Sequence, residues 1–210
     1  TDLNVFADFE PKLPEHYRSQ PYLLLGNIQP ALQRSVREQM SGLKLAAGDT
    51  MNYWIKDHRA QLLETIREWD CLIINDSEAR MLAGQSNLRR AAAAILDLGP
   101  STLVIKRGEY GALLVRRDGM FAAPAYLLDP VFDPTGAGDC FAGGFMGYLA
   151  QRDADRAPDQ AGWKDLCRAV IYGSVMGSFC CEQFGVERFR TLTRAEIDGR
   201  FEEFRRFTEF

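Results

Sequence analysis

The sequence has few histidines, no long apolar runs and no excess of positive charge. His16 and His58 stand far apart with no Cys or second His at zinc spacing, so a structural zinc site is not expected. No apolar stretch approaches the roughly 20 residues needed to cross a bilayer. The opening TDLNVFADFEPK has neither the basic nor the apolar region of a signal peptide. A net charge of -4 over 210 residues, without a Lys/Arg run or an aromatic stacking series, gives no footprint for a nucleic-acid backbone. The five cysteines (Cys71, Cys140, Cys167, Cys180, Cys181) are odd in number and lack C-x-x-C or metal-ligand spacing. A chain of this size does not need disulfide staples, so reduced thiols and a cytoplasmic location are expected. No strand is followed by G-x-G-x-x-G, which disfavours a Rossmann-type dehydrogenase. An initiator Met is absent too, and the expectation is a piece of a longer protein.

What remains is ordinary globular composition: 46% hydrophobic and 26% charged residues, enough for one substantial core and too apolar for disorder. Short apolar runs alternate with helical patterns. Strands are expected at Tyr22 to Asn27, Leu43 to Ala47, Cys71 to Asn75 and Thr102 to Lys106. Helices are expected at Pro30 to Gln39, Arg59 to Glu68, Ser77 to Leu82 and, capped by Asn87, Leu88 to Leu98. Continuous apolar strands alternating with helices are the pattern of a parallel sheet covered on both faces, hence an α/β fold. Between Gly111 and Leu128 the period changes, and ALLV and MFAAPAYLL around RRDG read as antiparallel edge strands. Helices at Gly136 to Ala150, Trp163 to Cys181 and Arg194 to Phe207 complete a single domain over 1–210, with Gln151 to Gly162 as a surface loop. Phe201, Phe204 and Phe207 form the expected core face of the last helix, and Trp54, Trp69 and Trp163 are packing anchors. Cys180-Cys181 reads as a buried pair rather than a redox site.

The most informative segment is Asp133-Pro134-Thr135-Gly136-Ala137-Gly138-Asp139-Cys140-Phe141-Ala142-Gly143-Gly144-Phe145. Small residues at Gly136, Ala137 and Gly138 let backbone amides approach an anion, and a helix start adds partial positive charge. Asp139, in the first turn, is placed to take a proton from an attacking hydroxyl beside a transferred phosphate. A tight turn with a helix-terminal carboxylate is the plainer alternative.

This run resembles the C-terminal signature of the ribokinase-like, PfkB-type carbohydrate kinases, Asp-x-x-Gly-Ala-Gly-Asp continuing into a small-residue helix. The resemblance implies that Asp139 is the catalytic base and that the Gly136, Ala137 and Gly138 amides form the anion hole for the γ-phosphate. Asn75-Asp76-Ser77-Glu78 resembles the family's Asn-x-x-Glu motif, which implies that Asn75 and Glu78 help set magnesium and phosphate geometry; the alternative is a capped helix start. Lys106 through Gly111 resembles the Lys-x-Gly-x-x-Gly nucleotide turn, with Lys106, Gly108 and Gly111 as ATP-binding positions and an ordinary glycine hairpin as the alternative. Main-chain oxygens near Asp133 and Thr135, with others near Gly185, are implied to hold a monovalent cation such as K+. Asp49 follows a strand where relatives carry an acidic residue, then Asn and Arg; Asn52 is present but the Arg is not, so a structural role is expected.

The resemblance implies a three-layer α/β sandwich, ATP and Mg2+ as cofactors, a sugar as acceptor and a nucleoside as the alternative. A homodimer is allowed by it. It also implies a preceding sugar-contacting strand, a Gly-Gly motif and a β-sheet lid, so TDLNVFADF reads as the tail of a lid or as a simple edge strand. A non-catalytic nucleotide-binding protein on the same fold is the alternative from a different class.

Overall fold

The computed structural model describes residues 4–154 and 162–208. Its strands are β1 (Tyr22–Leu25), β2 (Leu45–Gly48), β3 (Cys71–Asn75), β4 (Thr102–Lys106), β5 (Ala112–Arg116) and β6 (Gly119–Ala123). They form a six-stranded sheet in that order, mostly parallel with antiparallel strands at one edge, as expected from the sequence. Parallel neighbours need long crossovers. Here α2 (Pro30–Glu38) links β1 to β2, α3 (Asn52–Asp57) and α4 (Arg59–Ile66) link β2 to β3, and α5 (Asp76–Ala83) and α6 (Leu88–Leu96) link β3 to β4. A short α1 (Glu15–Arg18) precedes β1; α7 (Ala137–Ala154), α8 (Trp163–Cys180) and α9 (Arg194–Thr208) follow β6. The chain divides into two compact units: one runs to Leu103 and includes Arg116–Asp118, the other comprises Val104–Val115 and Gly119 onward.

In the first unit β1 and β2 run parallel with Tyr22 opposite Leu45 and Leu25 opposite Gly48, and β2 continues onto β3 with Gly48 opposite Leu72. The small residues of β2 have a packing reason. A Cβ on Gly48 would stand 2.4 Å from the Trp69 ring, so the indole lies directly on the strand. Leu72, Ile73 and Ile74 of β3 are wholly buried with Leu62, Ile66, Leu82 and Ile95 from the crossover helices. Truncating such a residue to Ala costs about 2–5 kcal/mol. Gln33 ties the ends of β1 and β2 together, its amide donating to the Gly26 carbonyl at 2.8 Å and the Asp49 carbonyl at 2.9 Å.

The second unit is built on close helix packing. A Cβ on Gly144 of α7 would meet Met176 Cγ and the Tyr172 carbonyl of α8 at 2.7 Å, and one on Gly173 would lie 2.9 Å from the Phe141 carbonyl. Small residues thus let the two helix backbones approach. Val175 and Phe179 of α8 and Phe204 of α9 form a buried cluster, with Tyr126, Ile171, Phe189 and Phe201 packed around it.

Four expectations are corrected. Asn4–Ala7 is a short 3-10 helix, not an edge strand. Helix α7 continues through Gln151 to Ala154, so the expected loop is helical at its start, while 155–161 lie outside the described residues. Strand β6 stops at Ala123 because Pro124 has no N–H for a ladder, so AYLL is not strand. Phe207 is 58% exposed and does not share the core face of Phe204. Helix α3 was not anticipated: no side chain caps it, and Asn52 is its first residue.

Candidate active site

The second unit carries the glycine-rich segment. The Asp133 carboxylate accepts from the Thr135 N–H at 2.9 Å through Oδ1, and Oδ2 lies 3.5 Å from the Gly185 N–H. These contacts, the Thr135 backbone first, hold its carboxyl below the usual range. Gly136 then takes a positive φ of 81°, the left-handed turn that an L side chain resists. The Ala137 N–H donates to the Pro134 carbonyl at 3.1 Å, and the Cys140 N–H closes the first helical turn on Gly136 at 2.9 Å. Asp139 sits in that turn with its side chain exposed, where the helix dipole favours a negative charge.

Lys106, the last residue of β4, reaches the same place. A Cβ on Gly138 would stand 2.9 Å from Lys106 Nζ, so the absence of a side chain at 138 makes room for an ammonium at the helix mouth. Of the expected nucleotide-turn glycines, Gly108 has φ 55° and open space above it. Gly111 serves a packing need as well: a Cβ there would lie 2.0 Å from the Ala123 carbonyl.

Asn75 and Glu78 meet in the first unit, where β3 runs into α5. Asn75 Oδ1 accepts from the Glu78 N–H and Glu78 Oε2 accepts from the Asn75 N–H, each at 2.8 Å, a reciprocal capping box. Glu78 is buried. The capped-helix alternative describes this geometry. Asp49 is also buried, its Oδ1 accepting from the Thr50 N–H at 2.7 Å at the end of β2, consistent with a structural role. Among the described residues no three His, Cys, Asp or Glu side chains group as a metal site.

Sequence reasoning missed two features. Cys180 Sγ lies 3.4 Å from the Thr135 carbonyl and beneath Gly136, so the thiol underpins the glycine turn. Burial first, then its hydrogen bond with Cys180, pushes the Cys140 thiol up to about 12. The second is the Asp133 side chain itself, because only main-chain oxygens there had a role. Its partner Gly185 is 52 residues away; the resemblance brings the two near one cation through main-chain oxygens, and the contact made by the Asp133 side chain is what it did not include.

A mostly parallel sheet that ends in an antiparallel edge and a glycine-rich helix entrance has the ribokinase-like α/β fold. The chain belongs to the pfkB family of carbohydrate kinases, whose model matches residues 15–191. It is 33% identical over 150 residues to a cytidine kinase of Thermococcus kodakarensis, covering 68% of this chain and 53% of that protein. It is 40% identical over 78 residues to an aminoimidazole riboside kinase of Salmonella typhimurium, covering 37% and 24%. Among solved structures, a nucleoside kinase of Methanocaldococcus jannaschii superposes with a TM-score of 0.71 at 18% identity, covering 94% of this chain and 60% of that one. A fructokinase of Vibrio cholerae, solved with fructose, ADP and calcium ion bound, gives 0.70 at 19% identity, covering 93% and 64%. The chain thus spans about half the length of the cytidine kinase it matches. No helix among the described residues is long and apolar enough to cross a membrane.

Proposed function

We propose that this chain is the nucleotide-binding and catalytic part of an ATP-dependent kinase that phosphorylates a hydroxyl of a sugar. The observation that carries the reading is the meeting of Lys106 Nζ with Gly138 one residue before the exposed Asp139. Phosphoryl transfer needs little covalent chemistry from a protein; it needs positioning and neutralisation of charge on the migrating group. Asp139 accepts the proton of the acceptor hydroxyl, and that oxygen forms the new bond to the γ-phosphorus as the bond to the ADP oxygen breaks. The Gly136 and Gly138 amides, the Ala137 amide on release from the Pro134 carbonyl, and the Lys106 ammonium are assigned to the charge that spreads over the phosphoryl oxygens, and Gly108 leaves room for the nucleotide. Magnesium, when carried by the phosphates, supplies further neutralisation; Asn75 and Glu78 are the side chains assigned to orient it. Main-chain oxygens near Asp133, Thr135 and Gly185 are assigned a monovalent cation such as K+. The working protein is longer than these 210 residues, a reading supported by the partial cover of the cytidine kinase and checked by intact mass of the native protein; a native chain starting at Thr1 refutes it.

A nucleoside acceptor is the second reading, and the identity to a cytidine kinase over 150 residues favours weighing it. ADP release by the native protein over a panel of sugars and nucleosides separates the two. Turnover on a sugar supports the first reading, and turnover confined to nucleosides replaces it with the second. Binding of ATP without turnover on any acceptor points to a non-catalytic nucleotide-binding protein instead. Asp139→Asn lowers the rate about 10²- to 10⁴-fold while ATP binding persists; an unchanged rate removes Asp139 from its role.

A further inference from the structure

Past the end of α8 the second unit holds a half-buried charge cluster that the proposed phosphoryl transfer does not use. Glu182, two residues past the end of α8, is gripped from both sides. Arg188 donates through Nε to Oε2 at 2.9 Å, and Arg200 of α9 donates to Oε1 in a still shorter contact. The Arg188, Arg200 and Glu182 side chains are 14%, 13% and 23% exposed. Both guanidinium groups lie over the Phe179 ring, at 4.9 and 3.5 Å from its centroid, and Arg200 also covers Tyr126 at 4.3 Å. Arg200 further donates to Ser178 Oγ at 2.9 Å, and Arg188 to Glu196. Planar guanidinium groups suit such a site, because they stack on aromatic faces and hold a carboxylate in fixed geometry.

Largely buried ion pairs are poor sources of stability, since desolvation offsets most of their attraction; what they supply is a fixed arrangement. The arrangement fixed here is the turn from Cys181 to Gly185. That turn touches the glycine-rich segment at two points: the Cys181 carbonyl accepts from the Phe132 N–H at 2.9 Å, and the Gly185 N–H, at φ 59°, faces Asp133 Oδ2 at 3.5 Å. Asp133 in turn holds Thr135, the residue before Gly136. A chain of contacts therefore runs from two arginines through Glu182 to the entrance of α7.

We infer that Glu182 is a positioning residue for phosphoryl transfer: with Arg188 and Arg200 it locks the Cys181–Gly185 turn, which clamps Asp133 and so sets the place of the Gly136–Gly138 amides. The inference rests on the kinase reading above for its rate effects, and on nucleotide affinity independently of it.

The test is Glu182→Gln in the native protein, with ATP KM, kcat, ATP affinity by calorimetry and Tm measured alongside Glu182→Asp, Asp133→Asn and the double variant Glu182→Gln/Asp133→Asn. Expected is an ATP affinity loss and a kcat loss of about 2- to 30-fold, the range for changes transmitted through a packed network. Glu182→Asp recovers part of it, and the double variant is no worse than the worse single one, because both break the same chain. A lowered Tm with unchanged ATP affinity and kcat, or losses that multiply in the double variant, overturns the inference. Should Glu182→Gln not fold, Arg188→Lys removes one arm of the grip with charge kept, and unchanged ATP affinity there overturns it equally. If Asp139→Asn keeps full turnover, the kinase reading fails, while the ATP-affinity comparison still decides the role of Glu182.

Discussion

Two helix entrances in this protein begin from similar ingredients and are finished in opposite ways. At the start of α5, Asn75 and Glu78 each satisfy the other's backbone N–H, and Glu78 is buried. At the start of α7, the chain enters through Gly136 at positive φ, Lys106 Nζ stands 2.9 Å from where a Gly138 Cβ would be, and Asp139 is exposed. The first entrance answers its own orphan amides, as a helix of eight residues under a buried sheet requires. The second has its turn held from outside, through Asp133, Cys180 and Gly185. The α5 cap is engaged with its own backbone, whereas the Asp139 side chain at the α7 entrance is exposed.

The contrast is sharpest in rate. Asp139→Asn is expected to lower turnover by about 10²- to 10⁴-fold with little change in Tm, the signature of a lost general base. Gly138→Val tests the other half of that entrance. A branched side chain there has to displace the ammonium, whose Nζ stands 2.9 Å from the Cβ position. ATP affinity falls by about 10-fold or more, the loss of one charge-assisted contact of about 1.5–3 kcal/mol; calorimetry showing wild-type affinity would remove Lys106 from the phosphate site. Asn75→Ala works the other way. It costs about 0.5–2 kcal/mol of stability, read as a Tm lower by about 2–4 °C per kcal/mol in a chain this long. A turnover loss larger than the loss of Tm explains supports the magnesium-orienting role proposed for Asn75 and breaks the contrast between the two entrances; a loss of stability alone takes that role from Asn75.

The fold was legible because its evidence is local. CLIIN and TLVIK are continuous apolar runs, and both are fully buried strands up to their last residue. Asn87 was readable as a cap from its place before an alanine-rich run, and its side chain does accept from the Arg90 N–H. Helix α3 was not legible. Its six residues carry no side-chain cap. Strand β6 was overextended because apolar residues continue past Pro124, where the missing N–H ends the ladder. In the site, Asp139 and the glycines were visible as a pattern, and so was the place of Lys106 at a strand end. The tie from Asp133 to Gly185, the thiol of Cys180 under Gly136 and the Glu182 grip join segments remote in sequence, and only packing brings them together.

The start of α9 supplies a third entrance, and with it the mildest effect. Thr193 and Glu196 form a reciprocal box, the Thr193 N–H donating to Glu196 Oε2 at 2.8 Å and the Glu196 N–H to Thr193 Oγ1 at 3.3 Å. The Thr193 hydroxyl and N–H, then Arg188, hold the Glu196 carboxyl at about 2. In an unfolded chain a Glu titrates near about 4.3. Because the folded value is the lower one, the native state binds the proton less readily, and the stabilisation is fully present above about pH 4.3. It is lost as the pH falls from there toward about 2. Glu196 is exposed, so the change is small, and it is best read as a slope: Tm declines through this window in the wild type, and Glu196→Gln declines less steeply. Equal slopes would mean that this entrance, unlike that of α5, draws nothing measurable from its charged partner, and that Arg188 is held in place by Glu182, Thr191 and Phe179.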